Sequence, residues 1–169
     1  EQHYTAPNAV ICVSGAFDEA AVLSAMDLHF GKMRPGTKTP RPAKPQQGIG
    51  PSFFHADKPG SQTQLRAAFR TVGSEHPDCT AVGILLRMID DGMATPLHRR
   101  IFEDKGLAYN IGAGIEEYMD TGALNFDAAC SHDNVFDVLK EILSICKDMR
   151  DGPISPEDLK RAKQRAIWD

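Results

Sequence analysis

The sequence lacks most of the features that announce a function. Its four cysteines, Cys12, Cys79, Cys130 and Cys146, form no CxxC, which excludes a zinc ribbon or a thioredoxin-type motif. Cys12 lies in an apolar run and Cys146 on an apolar helix face, so both read as buried free thiols and poor thiolates. No apolar stretch is long enough to span a bilayer. The opening Glu1-Gln2-His3-Tyr4 has neither the basic start nor the apolar core of a signal peptide. Net charge is −4, which gives no electrostatic reason to expect nucleic acid or an anionic membrane as partner.

Catalytic constellations are also missing. None of the six histidines, His3, His29, His55, His76, His98 and His132, lies three or four residues from another. There is no HExxH or HxxEH, whereas zinc catalysis needs about three protein ligands and an open position for water. No serine sits in GxSxG. Gly112-Ala113-Gly114 has no third glycine and no following helix, so it reads as close strand packing or a bulge rather than a phosphate loop. The acid pairs Asp90-Asp91, Glu103-Asp104 and Glu116-Glu117 are adjacent, so their side chains diverge and suit helix ends or solvated faces. We assign no catalytic residue and no metal ligand to this chain.

What is present is the patterning of a folded domain. The 169 residues are 41% hydrophobic and 25% charged, which is ordinary for one globular domain, or a domain plus a small piece. Ala9–Ser14 reads as a short buried strand ending at Gly15. Asp18 caps a helix carrying Ala21, Val22, Ala25, Met26 and Phe30, with Gly31 as its stop. Residues 34–51 are rich in proline and glycine and read as an extended, partly stiff linker. Ser52–His55 is a candidate strand. Leu65, Ala67, Phe69 and Thr71 alternate with polar neighbours, the period of a half-buried strand.

A helix is expected from Pro77 through Ile89, ended by Asp90-Asp91-Gly92, and a shorter one from Thr95-Pro96 to Gly106. Leu107–Tyr118 and Ala123–Cys130 form a hairpin around Asp120-Thr121-Gly122. Val135, Val138, Leu139, Ile142, Ile145, Cys146 and Met149 recur at helical spacing. After Gly152-Pro153, Ser155-Pro156-Glu157-Asp158 opens a last helix that runs to Trp168-Asp169 with no stop signal. The order predicts an α+β fold, an antiparallel sheet with helices on one face. We expect 1–33 to be a strand-helix segment ending a preceding repeat, 34–51 a linker, and 52–169 an α+β accessory domain truncated at its C-terminus. From the residues alone, the chain is a scaffold or binding module.

Four stretches carry a family resemblance. Leu97-His98-Arg99-Arg100-Ile101-Phe102-Glu103-Asp104-Lys105-Gly106-Leu107-Ala108-Tyr109 resembles the RLFxxLREKxGLAYS signature of the insulinase, pitrilysin and mitochondrial processing peptidase family. Tyr4-Thr5-Ala6-Pro7-Asn8 is similar to that family's Y-x-P-N segment. Phe30-Gly31-Lys32-Met33 resembles its phenylalanine-glycine helix end, and Ile154–Lys163 its I-T-x-E-E-L-x-R-A-K helix. The resemblance spans nearly the whole chain in order.

It implies paired homologous domains closing around unfolded peptides. It also implies a zinc site built on HxxEH and a distant glutamate in another domain or subunit, so zinc belongs to the parent protein's catalytic domain and not to this chain. The partners it implies are a peptide substrate and the HxxEH-bearing half, with no nucleic acid and no membrane span. Active members hold substrate with an arginine and a tyrosine near GLAY. The tyrosine matches Tyr109; the arginine position holds Phe102, and Arg99, one helical turn earlier, is the candidate replacement. The chain is thus expected to be a non-catalytic domain contributing chamber wall and substrate contacts. The alternatives are an inactive scaffold or partner subunit, or a simple peptide-binding module.

Overall fold

The computed structural model describes residues 3–40 and 50–168. The chain divides into two units, Glu1–Pro45 and Gln46–Asp169. Much of the expected linker, residues 41–49, lies outside the described residues.

In the first unit, helix α1 runs Glu19–Phe30 as expected. The Asp18 carboxylate accepts from the backbone N–H groups of Ala20 and Ala21, satisfying two donors that a helix start leaves unpaired. Asn8 acts as a double tie: its amide donates to Thr39 Oγ1 at 2.8 Å while its carbonyl accepts from Thr39 N at 2.8 Å. The strand expected at Ala9–Ser14 is not formed. Those residues are irregular, and Val10 is 88% exposed. A strand exists only through its ladder, and the described residues of this unit supply no second strand. Cys12 is accordingly exposed, not buried. α1 buries none of its residues either, so the described residues of this unit form no apolar core around it.

The second unit holds the sheet. β1 (Thr63–Thr71), β2 (Ala108–Glu117) and β3 (Gly122–Cys130) form an antiparallel sheet in the order β1-β3-β2. The registers put Leu65, Ala67 and Phe69 level with Ala128, Phe126 and Leu124, and these level with Ile111, Ala113 and Ile115. Successive strand side chains alternate faces, so this register gathers the apolar set on one side. Phe126 is fully buried, flanked across both ladders by alanines, and meets Phe69 edge-on at 5.8 Å. The opposite face is polar: Gln64, Arg66 and Arg70 on β1 are exposed.

Helices α2 (Cys79–Ile89), α3 (Pro96–His98), α4 (Val135–Asp151) and α5 (Pro156–Trp168) complete this unit. Ile89, Leu97, Val138, Ile142 and Ile145 join the apolar side of the sheet in one core. This is the α+β arrangement of helices on one face. Among the described residues, no helix is long and apolar enough to cross a membrane.

Two boundaries differ from expectation. Ser52–His55 forms no strand, and Phe53 and Phe54 are 83% and 88% exposed; no ladder partner lies beside them among the described residues. α2 starts at Cys79 rather than Pro77, because His76-Pro77-Asp78 forms a turn in which Asp78 N donates to His76 Nδ1 and Cys79 N to His76 O. The hairpin closes where Tyr118 N donates to Thr121 O. A Cβ on Gly122 would sit 2.5 Å from Val72 O, so only glycine fits that close approach.

Phe126→Ala is expected to cost about 3–5 kcal/mol, since the two flanking alanines cannot refill the space. The urea midpoint measures it, and an unchanged midpoint would remove Phe126 from the centre of the core.

Candidate functional site

The stretch Leu97–Tyr109 leaves the expected single helix after one turn. α3 passes into a π turn over Arg99–Glu103, in which Asp104 N donates to Arg99 O five residues back. Gly106 follows at φ +57°, the left-handed conformation glycine adopts without strain. Leu107 N then donates to Ile101 O at 2.9 Å and Gly106 N to Phe102 O at 3.2 Å. Leu97 and Ile101 are fully buried beneath this turn, while Arg99 and Phe102 face outward.

β2 begins with an irregularity. Ala108 pairs with Cys130 and Asn110 with Ala129, which leaves Tyr109 as an extra residue. Such a bulge re-aims side chains. Here it turns both Tyr109 and Asn110 outward between buried Ala108 and Ile111. Tyr109 is 62% exposed, so it is not a strand tyrosine packing its ring in the core. Among the described residues, neither its hydroxyl nor the Arg99 guanidinium makes a hydrogen bond or ion pair, and nothing joins the two. The π turn inserts one more residue per turn than an α-helix, so Arg99 and Phe102 do not stack as i, i+3 neighbours normally do. Phe102, 43% exposed, instead has its ring 6.4 Å from that of His98.

The glycines of Gly112-Ala113-Gly114 do not serve close packing. A Cβ on Gly112 would meet Asp90 Oδ2 at an ordinary 3.6 Å, and one on Gly114 would meet nothing within 4 Å; the bulge is at Tyr109 instead. The acids after α2 are not solvated. Asp90 accepts the outward N–H of Ala113 at 2.6 Å on the edge strand β2, and its other oxygen lies 3.9 Å from His98 Nε2. Asp91 pairs with Arg165 of α5 at 2.6 Å.

A charged cluster invisible in the sequence underlies this surface. Glu141 of α4 is buried, and one of its oxygens accepts from Arg100 Nε at 2.5 Å while the other accepts from Lys105. Arg100 also donates to Asp148 at 2.6 Å and Ser144 at 2.9 Å. Burial opposes ionisation of Glu141, but the hydrogen bonds and charges of Lys105 and Arg100 outweigh it and hold its pKa below the ordinary value. On the open face, Arg66 grips Asp127 with two donors, at 2.6 and 3.0 Å, and reaches Glu116 at 3.4 Å. That pair is exposed and contributes little to stability. Burial pushes the Cys130 and Cys146 thiols up in pKa, away from reactivity.

Among the described residues, no three His, Cys, Asp or Glu side chains gather as a metal site would require. A family model for the peptidase M16 inactive domain matches residues 1–166. The chain belongs to that family. The insulinase-type resemblance and the non-catalytic assignment follow from it together.

This M16 domain is 26% identical over 157 residues to an uncharacterized zinc protease of Mycobacterium bovis, covering 89% of this chain and 35% of that protein. It is 27% identical over 166 residues to an uncharacterized zinc protease of Rickettsia felis, covering 96% and 39%. The chain therefore spans well under half the length of these relatives. Among solved structures, it is similar to the peptidase M16 inactive domain from Pseudomonas fluorescens, with TM-score 0.67, 23% identity, and coverage of 87% of this chain and 35% of that one. It is also similar to a protease from Helicobacter pylori, with TM-score 0.63, 15% identity, and coverage of 90% and 38%. At these identities the structural likeness shows the fold alone.

Glu141 dictates a pH dependence. Its folded pKa is depressed, so its stabilisation is fully present above the unfolded glutamate value of about 4.3 and is lost as pH falls through the folded value. Glu141→Gln is expected to flatten this acid limb in urea-unfolding midpoints measured from about pH 7 down to pH 3. An acid limb as steep as the unaltered protein's would count against the ion pairs.

Proposed function

We propose that this domain forms part of the wall of a zinc peptidase's chamber and contacts the peptide through Tyr109, with Arg99 as a second, electrostatic contact. The observation that carries the reading is the bulge at Tyr109, which presents an aromatic face and an unengaged hydroxyl on a rigid strand. A tyrosine so placed offers a large contact area with few rotamers to lose, plus a donor for a peptide carbonyl. Zinc, the HxxEH motif and the general base belong, on this reading, to the remainder of the parent protein. In domain terms, 52–169 is the accessory peptidase domain and 1–33 the end of the preceding repeat.

Phe102 favours a second reading. It stands where the resemblance implies an arginine, and an apolar ring neither carries charge nor donates to a developing oxyanion. A domain lacking that donor suits an inactive partner subunit whose task is structural.

The experiment measures fluorescence polarisation of fluorescein-labelled, reduced and carboxymethylated α-lactalbumin, an unfolded polypeptide, titrated with the chain. Binding is expected. Tyr109→Ala should weaken it about tenfold, equivalent to about 1.4 kcal/mol, Arg99→Ala less, and Tyr109→Phe should leave the melting temperature unchanged. No binding by the unaltered chain would favour the scaffold. Metal analysis after dialysis is expected to find no stoichiometric zinc; one zinc per chain would overturn the non-catalytic assignment of these residues.

A further inference from the structure

Phe102 and Tyr109 are joined by a π turn, a left-handed glycine and a strand bulge. None of these is self-sustaining: π turns occur as single, locally strained turns, and a bulge breaks its ladder. Residues 102–106 are all exposed, and on their outer side the Phe102 ring meets that of His98 alone among the ring contacts of the described residues. What holds it lies underneath, on α4. Glu141 takes Arg100 inside the π turn on one carboxylate oxygen and Lys105 at its exit on the other. Arg100 is itself fixed by Ser144 and Asp148, and Asn134 Nδ2 donates to Leu107 O at 3.1 Å just beyond.

Glu141 is the charged exception among the buried residues of α4, which are otherwise Val138, Ile142 and Ile145. A buried carboxylate is costly unless it is fully paired, and a well-packed apolar residue there would serve packing alone at least as well. A carboxylate earns a different description from its geometry: two oxygens bridge two chain positions that an apolar side chain could not link.

We propose that Glu141 is a positioning residue for the peptide contact, a clasp that closes the π turn and thereby aims Tyr109. The proposal rests on the peptide-contact reading above. It separates two roles that share one side chain. A purely structural Glu141 would change stability and leave peptide affinity alone. A positioning Glu141 acts through Tyr109, so its effect on affinity requires Tyr109 to be present.

The test compares the unaltered chain, Glu141→Gln, Tyr109→Ala and the double variant, using the labelled α-lactalbumin probe and amide hydrogen exchange by NMR. In Glu141→Gln, protection at the Leu107 and Gly106 amides, bonded to Ile101 O and Phe102 O, should fall at least about tenfold while Phe126 in β3 stays protected. Affinity should fall several-fold in Glu141→Gln and show no further fall when that change is added to Tyr109→Ala. Unchanged exchange at Leu107 would overturn the clasp, as would losses of affinity that simply add. Should Glu141→Gln fail to fold, Lys105→Met releases only the exit of the turn and is read in the same way. Failure of the unaltered chain to bind the probe sinks the peptide-contact reading itself, whereas normal binding that Glu141→Gln leaves intact sinks only the clasp.

Discussion

Phe126 sits in the middle of the middle strand, and the rest of the second unit is arranged around it. Across each ladder it faces an alanine, Ala67 on one side and Ala113 on the other. A large ring between two small neighbours leaves space above the sheet, and the core carries Val138, Ile142 and Ile145 of α4 on that same side. Because strand side chains alternate with a period of two, a one-residue slip of β3 against both neighbours would turn Phe126 to water and Asp127 to the core. The register is thus fixed by burial, and it in turn fixes where β2 begins and where its bulge falls.

The remaining elements are fastened together by carboxylates, two just after α2 and one within α4. Asp90 closes the last turn of α2 and reaches the Ala113 N–H on the edge of β2 that pairs with no strand among the described residues, which occupies a donor that another strand would use. Asp91, next in sequence and diverging from it, reaches Arg165 of α5. Glu141 clasps the π turn from beneath. Three acids in an unremarkable acidic sequence therefore tie the helices, the edge strand and the Leu97–Tyr109 segment together, and each does so while removed from most solvent, where charge-assisted bonds are stronger than at an open surface.

The sequence made some of this legible and not the rest, for reasons that differ by element. α4 and β1 were readable because their apolar residues recur with the periods of helix and strand, a purely local property. Ala9–Ser14 and Ser52–His55 have strand composition, yet strand structure depends on a partner, and composition says nothing about whether one is within reach. The Tyr109 bulge was unreadable because alternation cannot reveal where one extra residue has been inserted. Glu141 was hidden for a third reason: its partners Arg100 and Lys105 lie 41 and 36 residues away, and only the folded core brings them together. Asp90 and Asp91 were recognised as helix-end acids, but their engagement with β2 and α5 is tertiary. The family membership was legible through four short motifs, among which the GLAY stretch alone falls on the candidate site.

That stretch also shows how much of a turn is set by backbone and packing alone. Leu97 and Ile101 are buried beneath its turn, Gly106 provides the left-handed exit, and Leu107 N closes onto Ile101 O. Those are backbone and packing constraints, indifferent to what residue 102 projects outward. With Phe102 there, position 102 presents an aromatic ring beside His98. Electrostatic stabilisation of a developing anion requires a donor or a cation aimed at it before reaction, and a ring supplies neither. The proposed contact with a polypeptide needs only surface, a hydroxyl and a strand to carry them, which the bulged Tyr109 offers. On the reading proposed above, that surface suits holding a chain rather than stabilising a developing anion.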